Sequence, residues 1–127
     1  MTLDEVVDLL TTAAAYDRRT VGEADAIAWH AAVGDLPFED SRGAVVAHYQ
    51  ESREWIMPAD IRRRVKEARR QRILDAGIPA PPPELTDDPA AYGAALQAAA
   101  TAIADGRDPE VAMQAVARQV RPELEAS

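Results

Sequence analysis

The chain has 127 residues, enough for one modest domain or a smaller domain with an appended segment, so a second full-sized enzyme domain is excluded. It contains no cysteine, which excludes disulfide bonds, cysteine-ligated zinc and thiol catalysis. Its formal net charge of −8 argues against a protein that coats nucleic acid with its whole surface, because phosphates would repel it.

The first ten residues, MTLDEVVDLL, are acidic and hold only a short apolar run, which is unlike a secretory signal. No apolar stretch approaches the roughly 20 residues that a membrane-spanning helix needs. We therefore expect a cytoplasmic protein without membrane contacts.

Two helices are predicted in the first third of the chain. Thr2 and Glu5 have the spacing of a capping box at the start of the first helix. Its apolar stripe comprises Leu3, Val6, Val7, Leu10 and Ala14. The second helix covers residues 23–33 and ends at Gly34, which suits a left-handed C-terminal position. Because it is apolar on two sides, we expect it at the centre of a small bundle.

A third helix is predicted to begin near Asp35, which can cap it, with Pro37 in its first turn. Its expected buried stripe comprises Phe38, Val45, Val46 and Tyr49. After it, Trp55 and Ile56 are predicted to cover the end of the bundle.

Pro58 predicts the start of a fourth helix, over residues 58–76. Its apolar stripe of Ile61, Val65 and Ala68 stops at Arg72, and this segment carries seven basic and three acidic residues in an otherwise acidic chain. The candidate nucleic-acid contacts are Arg62, Arg63, Lys66, Arg69 and Arg70.

Two other interpretations fit the basic helix. It can be a solvated face with internal ion pairs, since Asp60 and Arg64, like Arg63 and Glu67, lie four residues apart. It can also contact an acidic protein. No aromatic residue is interleaved with the charges after Trp55. The basic helix therefore lacks the aromatic side chains on which the bases of a single-stranded nucleic acid usually stack.

Residues 77–88 are rich in proline and predict an extended linker, so we place a boundary near residue 77. Beyond it, residues 89–127 predict a helical hairpin or a partly disordered tail, with helices starting at Asp88 and Asp108 and a stop at Gly106. Candidate partner contacts on its apolar stripes are Tyr92, Leu96, Ile103, Val116 and Val120. The same residues also fit packing of the hairpin against itself.

Sequence motifs of common enzymes are missing. There is no Walker-type phosphate loop, dinucleotide-binding glycine motif, nucleophile elbow or HExxH zinc motif. His30 and His48 are expected to be partly exposed beside core stripes, because their spacing supports no metal site. We assign no catalytic residue, metal ligand or cofactor and expect a protein that is not an enzyme.

The arrangement of residues 2–70 resembles a known family. A tryptophan in the second helix, a third helix ending in HY and a PADI start to the fourth, with Trp29, Tyr49, Pro58 and Ile61, are similar to the phage loader and inhibitor family of the replicative helicase and to related replisome-organiser proteins of prophages. The predicted all-α fold has a four-helix bundle over residues 1–76.

The resemblance implies a non-enzymatic adaptor that contacts a hexameric helicase through a mobile C-terminal part and delivers it, held inactive, to an origin protein on DNA. The helix signals after residue 88 differ from a fully disordered segment. Two alternatives are a small nucleic-acid-binding regulator that uses the basic helix, and a phage structural or assembly protein.

Overall fold

The computed structural model describes residues 1–122, and within them the chain is all-α, as the sequence predicts. The six helices are α1 (Leu3–Asp17), α2 (Glu23–Val33), α3 (Phe38–Glu51), α4 (Pro58–Ala76), α5 (Pro89–Ala104) and α6 (Pro109–Val120), and a short 3₁₀ turn covers Pro83–Leu85. The chain divides into two compact units, Met1–Ala68 and Arg69–Ser127. Part of the predicted tail, residues 123–127, lies outside the described residues.

The first unit is built around α1, which packs against both α2 and α3. Its core holds large aliphatic side chains, among them Leu9, Leu10, Ile56 and Ile61. The prediction that α2 lies at the centre is wrong, because α2 buries only Ala26, Trp29 and Val33 and leaves its other apolar side in solvent. α2 is therefore an outer helix of the bundle.

Local signals explain how α1 begins. The Thr2 hydroxyl accepts a hydrogen bond from the Glu5 N–H at 3.1 Å, and the Glu5 carboxylate accepts one from the Thr2 N–H at 2.9 Å. The predicted capping box is confirmed, and it satisfies two backbone donors that have no partner inside the helix.

The connection between α2 and α3 differs from the prediction at both ends. Gly34 has right-handed geometry (φ −62°), and a Cβ there would collide with the His30 carbonyl oxygen, so close approach rather than a left-handed turn requires glycine. Pro37 occupies the cap position of α3 and Asp35 does not cap it. The Asp35 carboxylate binds Arg62 of α4 instead.

The buried face of α3 is also rotated from the predicted stripe. Ser41, Ala44, Val45 and His48 are buried, whereas Phe38, Val46 and Tyr49 are only half-buried. The Ser41 hydroxyl donates to the Pro37 carbonyl at 2.8 Å. A polar side chain that satisfies its own hydrogen bond can be buried at little cost, which an apolar pattern does not anticipate.

The second unit contains the predicted helical hairpin of α5 and α6. Asp88 and Asp108 cap the two helices, and Gly106, at φ 75°, lies in the turn between them, so all three local predictions are confirmed. Leu85 is fully buried against the hairpin, and Pro81 is buried as well. The later part of the proline-rich segment therefore contributes to a core.

The two compact units divide inside α4, between Ala68 and Arg69, whereas the sequence places a boundary near residue 77. Independent folding of the segments on either side of residue 77 stays a prediction. Ile61 and Val65 are buried in the first unit, but Ala68 is exposed. α4 ends at Ala76, and Gly77 after it takes the left-handed conformation at φ 70°.

Candidate functional site

A buried ion pair lies where α1 ends. Arg18 is left-handed at φ 63° and reverses the chain, so that Arg19 folds back over Asp17. The Arg19 Nη2 atom lies 2.6 Å from Asp17 Oδ2, and Nε lies 3.0 Å from both carboxylate oxygens. The Arg19 and Asp17 side chains are only 8% and 1% exposed. This is a bidentate, charge-assisted pair with little access to water.

Hydrogen bonds connect this pair to the segment between α3 and α4. Arg19 Nη2 also donates to the Ile56 carbonyl at 2.8 Å, and the Tyr49 hydroxyl donates to Asp17. The same hydroxyl accepts from the Ile56 N–H at 3.0 Å. The Tyr16 ring stacks on Tyr49 with 4.9 Å between centroids. The network therefore fixes residues around Ile56 against the end of α1.

The network shifts the pKa values of its members. Burial alone would raise the pKa of Asp17, but the hydrogen bonds from Arg19 and Tyr49 outweigh it, and the pKa is lowered. Burial and the hydrogen bond to Asp17 raise the pKa of Tyr49. The hydrogen bond with Asp17 raises the pKa of Arg19. Asp17 is thus a carboxylate and Tyr49 a protonated donor near neutral pH.

A cleft of about 200 Å³ opens beside Arg19 in the first unit. Its lining residues are Leu10, Arg19, Thr20, Asp25, Trp29, Trp55 and Met57. The Arg19 guanidinium carbon lies 5.2 Å from the ring centroid of Trp29 and 5.0 Å from that of Trp55, within cation–π range. The cleft therefore combines aromatic walls with a held cation.

Trp55 and Met57 are 55% and 51% exposed, so two large apolar side chains stand at the cleft in solvent. The prediction that Trp55 and Ile56 together cover the end of the bundle holds for Ile56, which is fully buried, and is wrong for Trp55. Because side chains alternate in direction along an extended segment, burying Ile56 turns Trp55 and Met57 outward. That alternation was the signal in the sequence that could have predicted the exposure of Trp55 and Met57, although not the cleft itself.

The candidate nucleic-acid contacts in the first unit have different surroundings. Arg62 makes a bidentate pair with Asp35, at 2.7 and 3.0 Å, and donates to the Ala32 carbonyl at 3.0 Å. The hydrogen bond from Arg62 lowers the pKa of Asp35. Arg63 lies 3.5 Å from Asp60, and Lys66 is exposed.

The ion pairs predicted within α4 differ from those observed. Arg63 is paired with Asp60, three residues before it, and Arg64 binds Glu51 of α3 at 3.0 Å. Three of the four basic residues of α4 in the first unit, Arg62, Arg63 and Arg64, are thus paired with acidic residues of that unit, which an i,i+4 pattern along one helix does not capture.

In the second unit, arginines at the end of α4 bind the end of α5. Arg69 Nη2 lies 2.7 Å from Asp105, and the Arg72 Nη1 atom donates to the Ala104 carbonyl at 2.8 Å. The hydrogen bonds from Arg69 and Arg107 lower the pKa of Asp105. Arg70 is exposed. Arg69 therefore has a capping role, and nucleic-acid contact by these residues stays a prediction.

The candidate partner contacts of the hairpin are partly engaged in its own packing. Ile103 is buried, Leu96 and Val116 pack against the core of the second unit, Tyr92 is half-buried and Val120 is exposed. Packing of the hairpin against itself thus accounts for much of both stripes. Binding of a partner by these residues stays a prediction.

The two histidines are in unlike environments. His30 is exposed, with Nε2 3.1 Å from the Met1 carbonyl oxygen. His48 is buried, contrary to the prediction, with Nε2 2.7 Å from the Glu54 carbonyl oxygen and its ring edge-on to Tyr49. Over residues 1–122 no group of three or more histidine, aspartate or glutamate side chains could hold a metal ion.

Among the described helices, none is long and apolar enough to cross a membrane. Comparison of the chain with protein-family models, with curated proteins and with solved structures gives no significant match.

Proposed function

We propose that this chain is a non-enzymatic adaptor of phage or prophage DNA replication that binds a hexameric replicative helicase. The observation that carries the protein-binding part is the cleft of the first unit, with Trp55 and Met57 half-exposed beside Arg19. Tryptophan, methionine and arginine are the residue types enriched where proteins bind each other. The resemblance over residues 2–70 supports the helicase as the partner.

The cleft has the physical properties of a binding surface. Covering apolar area is favourable by roughly 25 cal/mol per Å². The network of Asp17, Arg19 and Tyr49 holds the cleft walls in place before a partner arrives. A preformed site loses less conformational entropy on binding than a mobile one, so more of the contact energy remains as affinity.

The direct test mixes the full-length protein with purified replicative helicase hexamers from several bacteria, in nuclease-treated samples. Analytical ultracentrifugation should show a complex at micromolar concentrations, and helicase ATPase and unwinding rates should fall on binding. No complex with any of these helicases would overturn the helicase proposal.

A second candidate, a small nucleic-acid-binding regulator, is favoured by Arg63 and Lys66, which lie one turn apart on α4 and are exposed. Changing both to glutamate should abolish binding to duplex DNA and reduce the slope of log K against log salt by about 2. The matched control changes the exposed Arg42 and Arg53 to glutamate, with the same change in net charge. Equal effects of the two double variants would contradict a specific contact.

A further inference from the structure

The Arg19 guanidinium has one nitrogen left for a ligand. Nε and Nη2 donate to Asp17 and to the Ile56 carbonyl, and the guanidinium also interacts with the Tyr49 side chain, but no hydrogen bond of ordinary geometry among residues 1–122 is donated by Nη1. The Arg19 side chain as a whole is 8% exposed, and it lines the cleft. Arg64 Nε is the one fully buried side-chain nitrogen or oxygen atom among residues 1–122 that lacks a partner, so Arg19 Nη1 keeps contact with solvent and is accessible to an acceptor that enters the cleft.

The charge around the cleft determines which acceptor fits. Asp17 already neutralises Arg19, and Asp25 places a second carboxylate at the cleft, where its Oδ2 atom accepts from the Gly22 N–H at 2.9 Å. Residues 1–57 carry 11 acidic and only four basic side chains. An acidic ligand would be repelled, whereas a neutral carbonyl oxygen flanked by positive charge would be attracted.

The apolar walls determine the rest of the ligand. Leu10, Trp29, Trp55 and Met57 supply the apolar surface of the cleft. Its volume of about 200 Å³ is several times the roughly 30 Å³ that a water molecule occupies in the liquid, so it has room for a side chain.

We propose that the cleft binds a basic, apolar peptide segment of a partner protein, which places one aliphatic side chain against Trp29 and Trp55 and a backbone carbonyl oxygen on Arg19 Nη1, with a lysine or arginine near Asp25. This inference rests on the proposed protein-binding function and specifies the chemistry of the segment that is bound.

Tryptophan fluorescence of the full-length protein provides the test, because Trp29 and Trp55 are the two tryptophans of the chain and both line the cleft. The probes are three blocked pentapeptides: Ala-Lys-Leu-Lys-Ala, Ala-Glu-Leu-Glu-Ala and Ala-Lys-Ser-Lys-Ala. We expect saturable binding of the first, at least tenfold tighter than the other two. Equal affinities, or no saturable change up to about 10 mM peptide, would overturn the proposal.

Single substitutions then place the peptide. Trp55→Ala should weaken binding of the lysine–leucine peptide at least tenfold, as measured by the fluorescence of the remaining Trp29. Ile27→Ala is the matched control, because Ile27 is also 55% exposed but does not line the cleft, and it should change the affinity less than twofold. A weakening by Ile27→Ala as large as that by Trp55→Ala would overturn the site.

Asp25→Asn keeps an acceptor for the Gly22 N–H but removes the charge, so it should narrow the preference for the lysine peptide over the glutamate peptide at least threefold. An unchanged preference would overturn the role of charge. Helicase binding distinguishes failure of one proposal from failure of the other. If the protein binds the lysine–leucine peptide but no helicase, the cleft proposal stands and the helicase proposal is overturned. If the wild type binds no peptide and Trp55→Ala binds the helicase with wild-type affinity, the helicase proposal stands and the cleft proposal is overturned.

Discussion

The two units build their cores from different side chains. The first unit buries aliphatic residues on all four of its helices and on the segment before α4, including Leu9, Val33, Val45, Ile56 and Ile61. The second buries Leu85, Ile103 and Met113, and the other members of its core cluster are alanines: Ala91, Ala95, Ala99 and Ala117. Each alanine removes little area from water, so the second core depends on few side chains, whereas the first spreads its burial over many.

The two units also differ in how they use ion pairs. Asp17 and Arg19 are almost fully buried, whereas Arg69 and Asp105 are each at least a quarter exposed. Water screens the Arg69–Asp105 pair, so this pair contributes little to the stability of the folded state. In the first unit, a buried charge that loses its partner is severely destabilising. The same chemistry is thus a structural requirement in one unit and a minor contact in the other.

The largest expected effect is that of Asp17→Ala. Removing the carboxylate leaves the Arg19 charge buried without its partner, and we expect the first unit to lose about 3–5 kcal/mol in free energy of unfolding. Urea unfolding followed by tryptophan fluorescence measures it, because both tryptophans belong to the first unit.

Asp105→Ala is the matched control in the second unit, with an expected cost of about 1 kcal/mol or less. Asp17→Asn, which keeps hydrogen-bonding capacity, should fall between the two. A cost of Asp17→Ala no greater than that of Asp105→Ala would contradict the contrast between buried and exposed pairs.

Leu85→Ala is expected to be next in size. Leu85 is fully buried, and loss of such a leucine leaves a cavity that typically costs about 2–5 kcal/mol. Circular dichroism should show helix loss at lower temperature, while the fluorescence transition of Trp29 and Trp55 stays in place. Leu74→Ala, an exposed leucine of the same unit, should change stability by less than about 0.5 kcal/mol. A parallel shift of the fluorescence transition would show that the two units unfold together.

Local signals made much of the fold predictable from sequence. Asp88 and Asp108 cap helices just before prolines, and Gly106 lies just after the end of a helix. These signals act over three or four residues, and the structure confirms them. The burial of His48 could not be predicted, because its partner is the Glu54 carbonyl oxygen, which comes close only when the chain turns after α3.

The candidate cleft was hidden for a related reason. Arg19, Trp29 and Trp55 lie on separate segments, and no periodic pattern connects them. The basic residues of α4 are evident in the sequence because they are adjacent, although Arg62 binds Asp35, between α2 and α3, and Arg64 binds Glu51 of α3. Adjacency in sequence identifies a charged surface, but a site made from distant segments needs the tertiary structure.

The pH dependence of the first unit should follow Asp17. Its pKa is lower in the folded chain than the roughly 3.9 of an unfolded aspartate, so its stabilising contribution is complete above about pH 4 and is lost as the pH falls through the folded-state value. The difference in melting temperature between the wild type and Asp17→Asn should be constant from about pH 5 to 7 and shrink below about pH 4. A difference that persists unchanged at acidic pH would contradict the ionised pair.

The smallest expected effects come from two helical glycines, one in each unit. Gly43 in α3 and Gly93 in α5 are exposed, and an added Cβ would meet nothing within 4 Å. Alanine should therefore stabilise each helix by about 0.5–1 kcal/mol, since it loses less backbone entropy on folding. Gly106→Ala is the opposing control, because its φ of 75° strains a side-chain-bearing residue by about 1–2 kcal/mol.

Thermal unfolding can assign each gain to its unit. Gly43→Ala should raise the fluorescence-detected midpoint, while Gly93→Ala should raise only the midpoint seen by circular dichroism. Because neither substitution adds a tertiary contact, a higher fluorescence-detected midpoint in Gly93→Ala would require that the two units unfold together. That result would show that the two units do not have independent stabilities, although one core is aliphatic and the other is rich in alanine.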